Sequence, residues 1–178
     1  MMNALDRQTS VADVAPDDFR TALRQLAGAV SVVTAGRGND RAGLTATSVT
    51  SFSAEPPAVL VAVNLKSSAL PTIRAFRHFA VNVLPAGQQP LADRFAGRAN
   101  VKGAARFVGE DWSSLVTGAP VLVGALAVID AELEEVIERH SHALLIGRVK
   151  AVRSDAAAGA LLYWRGDYAC FDDGRSED

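Results

Sequence analysis

Apolar residues along this chain fall mostly into short strand-like stretches, and take helical spacing in only a few places. Pro16-Asp17-Asp18 opens a helix, with acidic side chains near its positive end. Phe19, Ala22, Leu23 and Leu26 continue it until Gly28. Residues 30–35 read as a strand, and Gly36-Arg37-Gly38-Asn39-Asp40 as a turn, so a hairpin into the next strand is expected. After Glu55-Pro56-Pro57, residues 58–63 form a continuous apolar run, the pattern of a strand covered on both faces. Residues 70–76 and 88–95 read as short helices, 79–84 as a strand, and 96–111 as a basic, glycine-containing loop. Residues 121–137 read as one long strand and 142–152 as another. Strands at 161–163 and 168–171 flank an Arg165-Gly166-Asp167 turn. Many strands, few helices and no regular alternation between them predict a mainly β chain with a few short helices, folded as an antiparallel barrel. Residues 16–171 are expected to form one domain between flexible tails at 1–15 and 172–178.

One stretch stands apart. Gly43-Leu44-Thr45-Ala46-Thr47-Ser48-Val49-Thr50-Ser51-Phe52-Ser53 is rich in β-branched residues and holds no proline, as expected of a single strand. Neither of its alternating faces is cleanly apolar. Thr45, Thr47, Val49, Ser51 and Ser53 share one side; Leu44, Ala46, Ser48, Thr50 and Phe52 share the other. Short hydroxyl side chains both donate and accept, and they let a flat ligand approach the backbone. An ordinary Ser/Thr-rich edge strand has the same pattern.

Composition narrows the classes. The 178 residues suffice to bury a substantial core. A net charge of −2, with no basic block, argues against a nucleic-acid binder. Cys170 is the only cysteine, so no internal disulfide forms, and a cytoplasmic, reducing location is expected. The first residues lack the basic start and apolar middle of a signal peptide, and no apolar run reaches membrane-helix length.

No dinucleotide fingerprint, phosphate-binding loop or nucleophile elbow occurs. His140 and His142, two apart, would share a face of a strand, with Glu134, Glu135 and Glu138 nearby; no further metal-ligand spacing accompanies them. The run Glu132-Leu133-Glu134-Glu135 reads as a solvated surface. Lys102, beside Gly103 on a loop, is suited to an anion or to solvent. With no nucleophile or acid–base set visible, the chemistry of an enzyme here would be a cofactor's.

The ordered set of motifs resembles the short-chain flavin reductases, the reductase partners of two-component flavin-dependent monooxygenases. Residues 43–53 and Pro56-Pro57 carry the resemblance. It continues through Asn64, Ser67-Ser68, Phe79-Ala80-Val81-Asn82-Val83-Leu84 and Leu91-Ala92-Asp93-Arg94-Phe95-Ala96-Gly97. Further matches are Lys102-Gly103, Arg106-Phe107, Gly118-Ala119-Pro120, His140-Ser141-His142, Ile146-Gly147-Arg148-Val149 and Leu161-Leu162-Tyr163-Trp164-Arg165-Gly166. The resemblance implies a split β-barrel that binds FMN or FAD, takes NADH or NADPH as co-substrate, and delivers reduced flavin to a monooxygenase. It also implies a homodimer, for which the apolar residues 121–129 offer an outer face. Thr45, Ala46, Thr47, Ser48, Val49, Thr50 and Ser51 would line the flavin, together with Asn64 and Phe95. Ser67, Ser68 and Lys102 would meet its phosphate, and His142 would stand at the nicotinamide. Ser141 departs from the pattern, since many members carry Asp before the histidine. The competing reading is a flavin-binding protein of the same barrel without turnover, or an oxidase or haem-binding relative.

Overall fold

The computed structural model describes residues 13–155 and 159–172, so most of both expected tails lies outside the described residues. Among the described residues there are three α-helices: α1 (Pro16–Leu23), α2 (Leu70–Phe76) and α3 (Gln89–Phe95). The early strands are β1 (Gly28–Ala29), β2 (Ser31–Ala35), β3 (Ala42–Ala46), β4 (Val49–Ala54), β5 (Pro57–Asn64) and β6 (His78–Val83). The later ones are β7 (Trp112–Ser114), β8 (Pro120–Leu122), β9 (Ala127–Arg139), β10 (His142–Ser154), β11 (Ala160–Trp164) and β12 (Asp167–Phe171).

Seven strands pair antiparallel in the order β3-β2-β6-β9-β10-β5-β4. The expected hairpin of β2 with β3 is present, with Val32 opposite Thr45. The sheet does not close by hydrogen bonds. Its two edges, β3 and β4, are consecutive in the chain and joined by Thr47-Ser48. Yet Ala46 on β3 shares one buried cluster with Val59, Val61 and Val63 of β5, so the sheet wraps around that core. Ala69, Leu70 and Ile73 of the α2 segment pack into the same cluster. On the outer side of β2 and β6, a second cluster joins Val30, Val32 and Leu84 to Leu91, Ala92 and Phe95 of α3 and to Phe107, Val121 and Leu122.

Several expectations change. The 43–53 stretch is two strands, because its halves pair with different partners. The first half pairs with β2, whereas Ser48 already belongs to β5, with Ala62 N–H donating to Ser48 C=O at 3.2 Å and Ser48 Oγ donating to Ala62 C=O at 2.7 Å. The expected 121–137 strand is broken at Gly124, which takes φ 82°; β8 pairs with β7, and β9 with β6 and β10. Residues 121–129 are not an outer apolar face: Val121, Leu122, Ala125 and Val128 are buried beneath α3 and Phe107. The 96–111 loop contains a 3-10 turn at Gly103–Phe107 that plants Phe107 in this core. The strand at β5 is fully buried on one face only, for Leu60 and Ala62 are half-buried. Helix α1 ends at Leu23 and buries none of its residues.

Candidate functional site

The seam between β3 and β4 is the organising feature. Successive residues of an edge strand turn their backbone groups alternately toward the neighbour and away from it. The Gly43 carbonyl accepts from Arg106 Nη1 at 3.1 Å, so Gly43 and Thr45 form the outward set on β3. The Ser48–Ala62 bond directs Ser48 and Thr50 toward β5, which leaves Val49 and Ser51 outward on β4. What the seam presents is therefore mostly backbone. The hydroxyls expected to line it are partly committed elsewhere: Thr45 Oγ1 donates to Ala92 C=O at 2.6 Å, and Thr50 Oγ1 to Ser51 C=O at 3.4 Å. Ala46 is buried on the core side.

A cleft of about 690 Å³ opens at the start of β3, lined by Arg41, Gly43, Ser68, Thr72, Lys102 and Arg106, among others. Two of the three residues expected at a phosphate, Ser68 and Lys102, thus meet in space although far apart in the chain. Ser67 is occupied in the turn before α2. Its N–H donates to Asn64 C=O at 2.9 Å and its Oγ accepts from Ala69 N–H at 3.3 Å. Asn64 Oδ1 accepts from Lys66 N–H at 2.9 Å. Arg106 is committed to the backbone of Val101, Gly43 and Phe95. Arg41 lines the same cleft with its guanidinium over the Phe107 ring.

A smaller recess of about 160 Å³ lies at the other end of β3, between Thr45, Ala46 and Thr47 on one side and Arg98, Tyr163 and Tyr168 on the other. The tyrosine rings meet edge-on at 5.3 Å. Tyr168 Oη donates to Asp93 Oδ1 at 3.1 Å, and Arg98 Nη1 donates to the same oxygen at 2.8 Å. Burial first, and the Asp93 carboxylate next, hold the Tyr168 phenol above its ordinary range. Tyr168 is thus a neutral donor at physiological pH. The cationic cleft and the tyrosine-walled recess lie at opposite ends of β3.

Other expected residues stand further off. His142 begins β10 opposite Asn64 on β5, exposed, with Nδ1 2.9 Å from Ser141 Oγ. Neither His142 nor Asn64 lines the two recesses. His140 is not on a strand with His142; it sits in the β9–β10 turn at φ 52°. Glu134 and Glu138 pair with Arg148 and Arg74. Among the described residues no three metal-ligating side chains converge. Phe95 is buried behind β3, its ring on Phe107 and Trp112, and so supports the site from beneath. Arg41, Arg98, Tyr163 and Tyr168 escaped the reading of residue chemistry. Only the family motif around Tyr163 pointed toward one of them.

Comparison with known proteins identifies the family. Residues 23–171 match the flavin reductase like domain, and the chain belongs to that family. It is 45% identical over 150 residues to FMN reductase (NADH) RutF 2 of Methylorubrum extorquens, covering 84% of this chain and 86% of that one. The NADH:FAD oxidoreductase SgcE6 of Streptomyces globisporus, solved with NAD and FAD fragments, superposes with a TM-score of 0.81 at 30% identity, over 93% of this chain and 99% of that one. The styrene monooxygenase flavin reductase of Pseudomonas putida S12 superposes with a TM-score of 0.77 at 27% identity, over 87% of this chain and 97% of that one.

Proposed function

We propose that this chain is an NADH:flavin oxidoreductase that reduces FMN and passes it to a flavin-dependent monooxygenase component. The observation that carries this reading is the seam, flanked by a cleft holding Arg41 and Lys102 at one end of β3 and by Tyr163 and Tyr168 at the other. The group fits the residues: Arg41, whose buried Nε has no hydrogen-bond partner, lines the cleft with Lys102, and outward backbone amides and carbonyls suit the polar edge of a flavin. When bound, the flavin supplies the two-electron acceptor for a hydride from the nicotinamide, so no protein acid or base is required. The chain's part is to bind and orient. Thr45, Thr47, Val49 and Ser51 present the backbone that fixes the ring plane. Ser68 and Lys102 hold the phosphate, and His142 orients the nicotinamide from β10. Wrapping of the sheet around its first core, with an unpaired β3–β4 seam, supports the reading of the fold as a split barrel.

In this reading residues 16–171 act as one catalytic domain in the cytoplasm, and the chain pairs as a homodimer. Support for pairing is the face of α1, where Phe19 and Leu23 are 57% and 44% exposed and no residue is buried. The experiment is NADH oxidation by the purified protein with FMN, with FAD and with no flavin. Oxidation only with flavin, and hydrogen peroxide formed in air, are expected. Tight flavin binding with no nucleotide oxidation, by NADH or NADPH, would mark a carrier instead.

A further inference from the structure

Arg41 lies immediately before β3, and its guanidinium carbon is 4.6 Å from the centroid of the Phe107 ring. Phe107 is itself buried, wedged edge-on against Phe95 and Trp112. The guanidinium plane therefore rests on a fixed surface. Its Nε is buried and has no hydrogen-bond partner among the described residues. A buried cationic donor left unpaired is costly, and native structures pair such groups unless a ligand does so.

The neighbouring arginines are in a different state. Arg106 spends its donors on Val101, Gly43 and Phe95, and Arg37 Nη2 donates to Thr117 C=O at 2.6 Å. Arg41 makes no hydrogen bond or ion pair within the described chain, yet lines the cleft with Lys102 and Ser68. Asp40 also lines this cleft, but no ion pair joins it to Arg41. A guanidinium offers a planar fork that matches two phosphate oxygens, whereas Lys102 offers a mobile point charge.

We infer that Arg41 is the residue that fixes the terminal phosphate of a flavin mononucleotide, with Lys102 as a second cation, and that it makes the chain select FMN over riboflavin and FAD. This rests on the flavin reading above and deepens it. A phosphate monoester carries nearly two charges at neutral pH, its second pKa being about 6. Each phosphate of the FAD diphosphate bridge carries one. Two cations at one subsite favour the doubly charged group.

The test is equilibrium binding, read from quenching of flavin fluorescence, with riboflavin, FMN and FAD. The proteins are wild type, Arg41→Met and Arg41→Lys. Methionine keeps an unbranched, polarisable side chain on Phe107 without the charge. Arg41→Met is expected to weaken FMN by about 10- to 30-fold while leaving riboflavin within about twofold, and to shrink the preference for FMN over FAD. Arg41→Lys should recover part of the loss. Thermal unfolding establishes that each variant folds. Equal loss for FMN and riboflavin would assign Arg41 to shaping the loop, and no loss for either would leave it idle; both overturn the inference while the flavin reading stands. Wild type that quenches no flavin would overturn the flavin reading, and the inference with it.

Discussion

A Cβ on Gly43 would stand 2.6 Å from Cε1 of Phe95. The α3 ring thus packs against the one β3 residue that has no side chain, and Arg106 clamps that residue's carbonyl. Gly43→Ala must push the ring or the strand aside. The expected cost is about 1–3 kcal/mol, measured by urea unfolding. Phe95→Leu makes room, so the double variant should lose less than the sum of the single ones. Additive losses would show that the contact is not what constrains Gly43.

His142 is exposed at the first position of β10, with Ser141 Oγ on its Nδ1. His142→Ala is expected to raise KM for NADH, or to lower kcat, while FMN affinity changes little. Unchanged kinetics with a lower melting temperature would make it a packing residue only. The ring is solvent-facing, so a large stability loss is not expected.

Lys102 and Arg41 both line the cleft at the start of β3. Lys102→Ala is expected to weaken FMN about tenfold and to leave riboflavin nearly unchanged. In the proposed site the two cations share one anion, so the double Arg41→Met, Lys102→Ala variant should depart from additivity. Equal losses for FMN and riboflavin would mean that Lys102 shapes the loop.

His78 is 4% exposed and its Nε2 has no hydrogen-bond partner. Burial first lowers its pKa from 6.5, with a further lowering from Arg37; the Gly36 backbone and Asp130 work the other way. The folded chain therefore keeps His78 neutral where the unfolded chain has already taken a proton. Stability on this account falls as pH drops below 6.5 and levels off beneath the lowered folded value. The slope in that window is at most about 1.4 kcal/mol per pH unit. Urea unfolding across the window is expected to show the slope in wild type and a flatter profile in His78→Gln. Parallel profiles would assign the dependence to other groups.

Much of the fold was legible along the chain. Helix α2 falls where Pro71 and the 70–76 spacing put it, and β6, β10 and the β11–β12 hairpin lie at their patterned positions. The site was legible in part. Thr45, Ala46 and Thr47 do line one recess, and Ser68 and Lys102 another. Arg41 was not, because a single arginine after a turn carries no local sign of what it stacks on. Its neighbour Phe107 lies in a segment that reads as loop, and burial of that ring depends on α3 and β8.

By itself the sequence determined the alternation that makes strands, the short helices, the hydroxyl-rich stretch and the ordered motifs of the family. These are properties of near neighbours, governed by side-chain volume, backbone preference and spacing. The tertiary structure alone decided which strand each half of 43–53 joins. Thr45 pairs across to Val32 and Ser48 to Ala62, so one continuous pattern became two edges with a seam between them. It decided that Val121, Leu122 and Val128 face inward, that Phe95 supports the site from beneath, and that Arg41 keeps an unpaired donor. Each of those outcomes depends on a partner distant in the chain. Alternation gives two faces to every strand, but only packing against the other strands decides which face is covered and which backbone groups are left free.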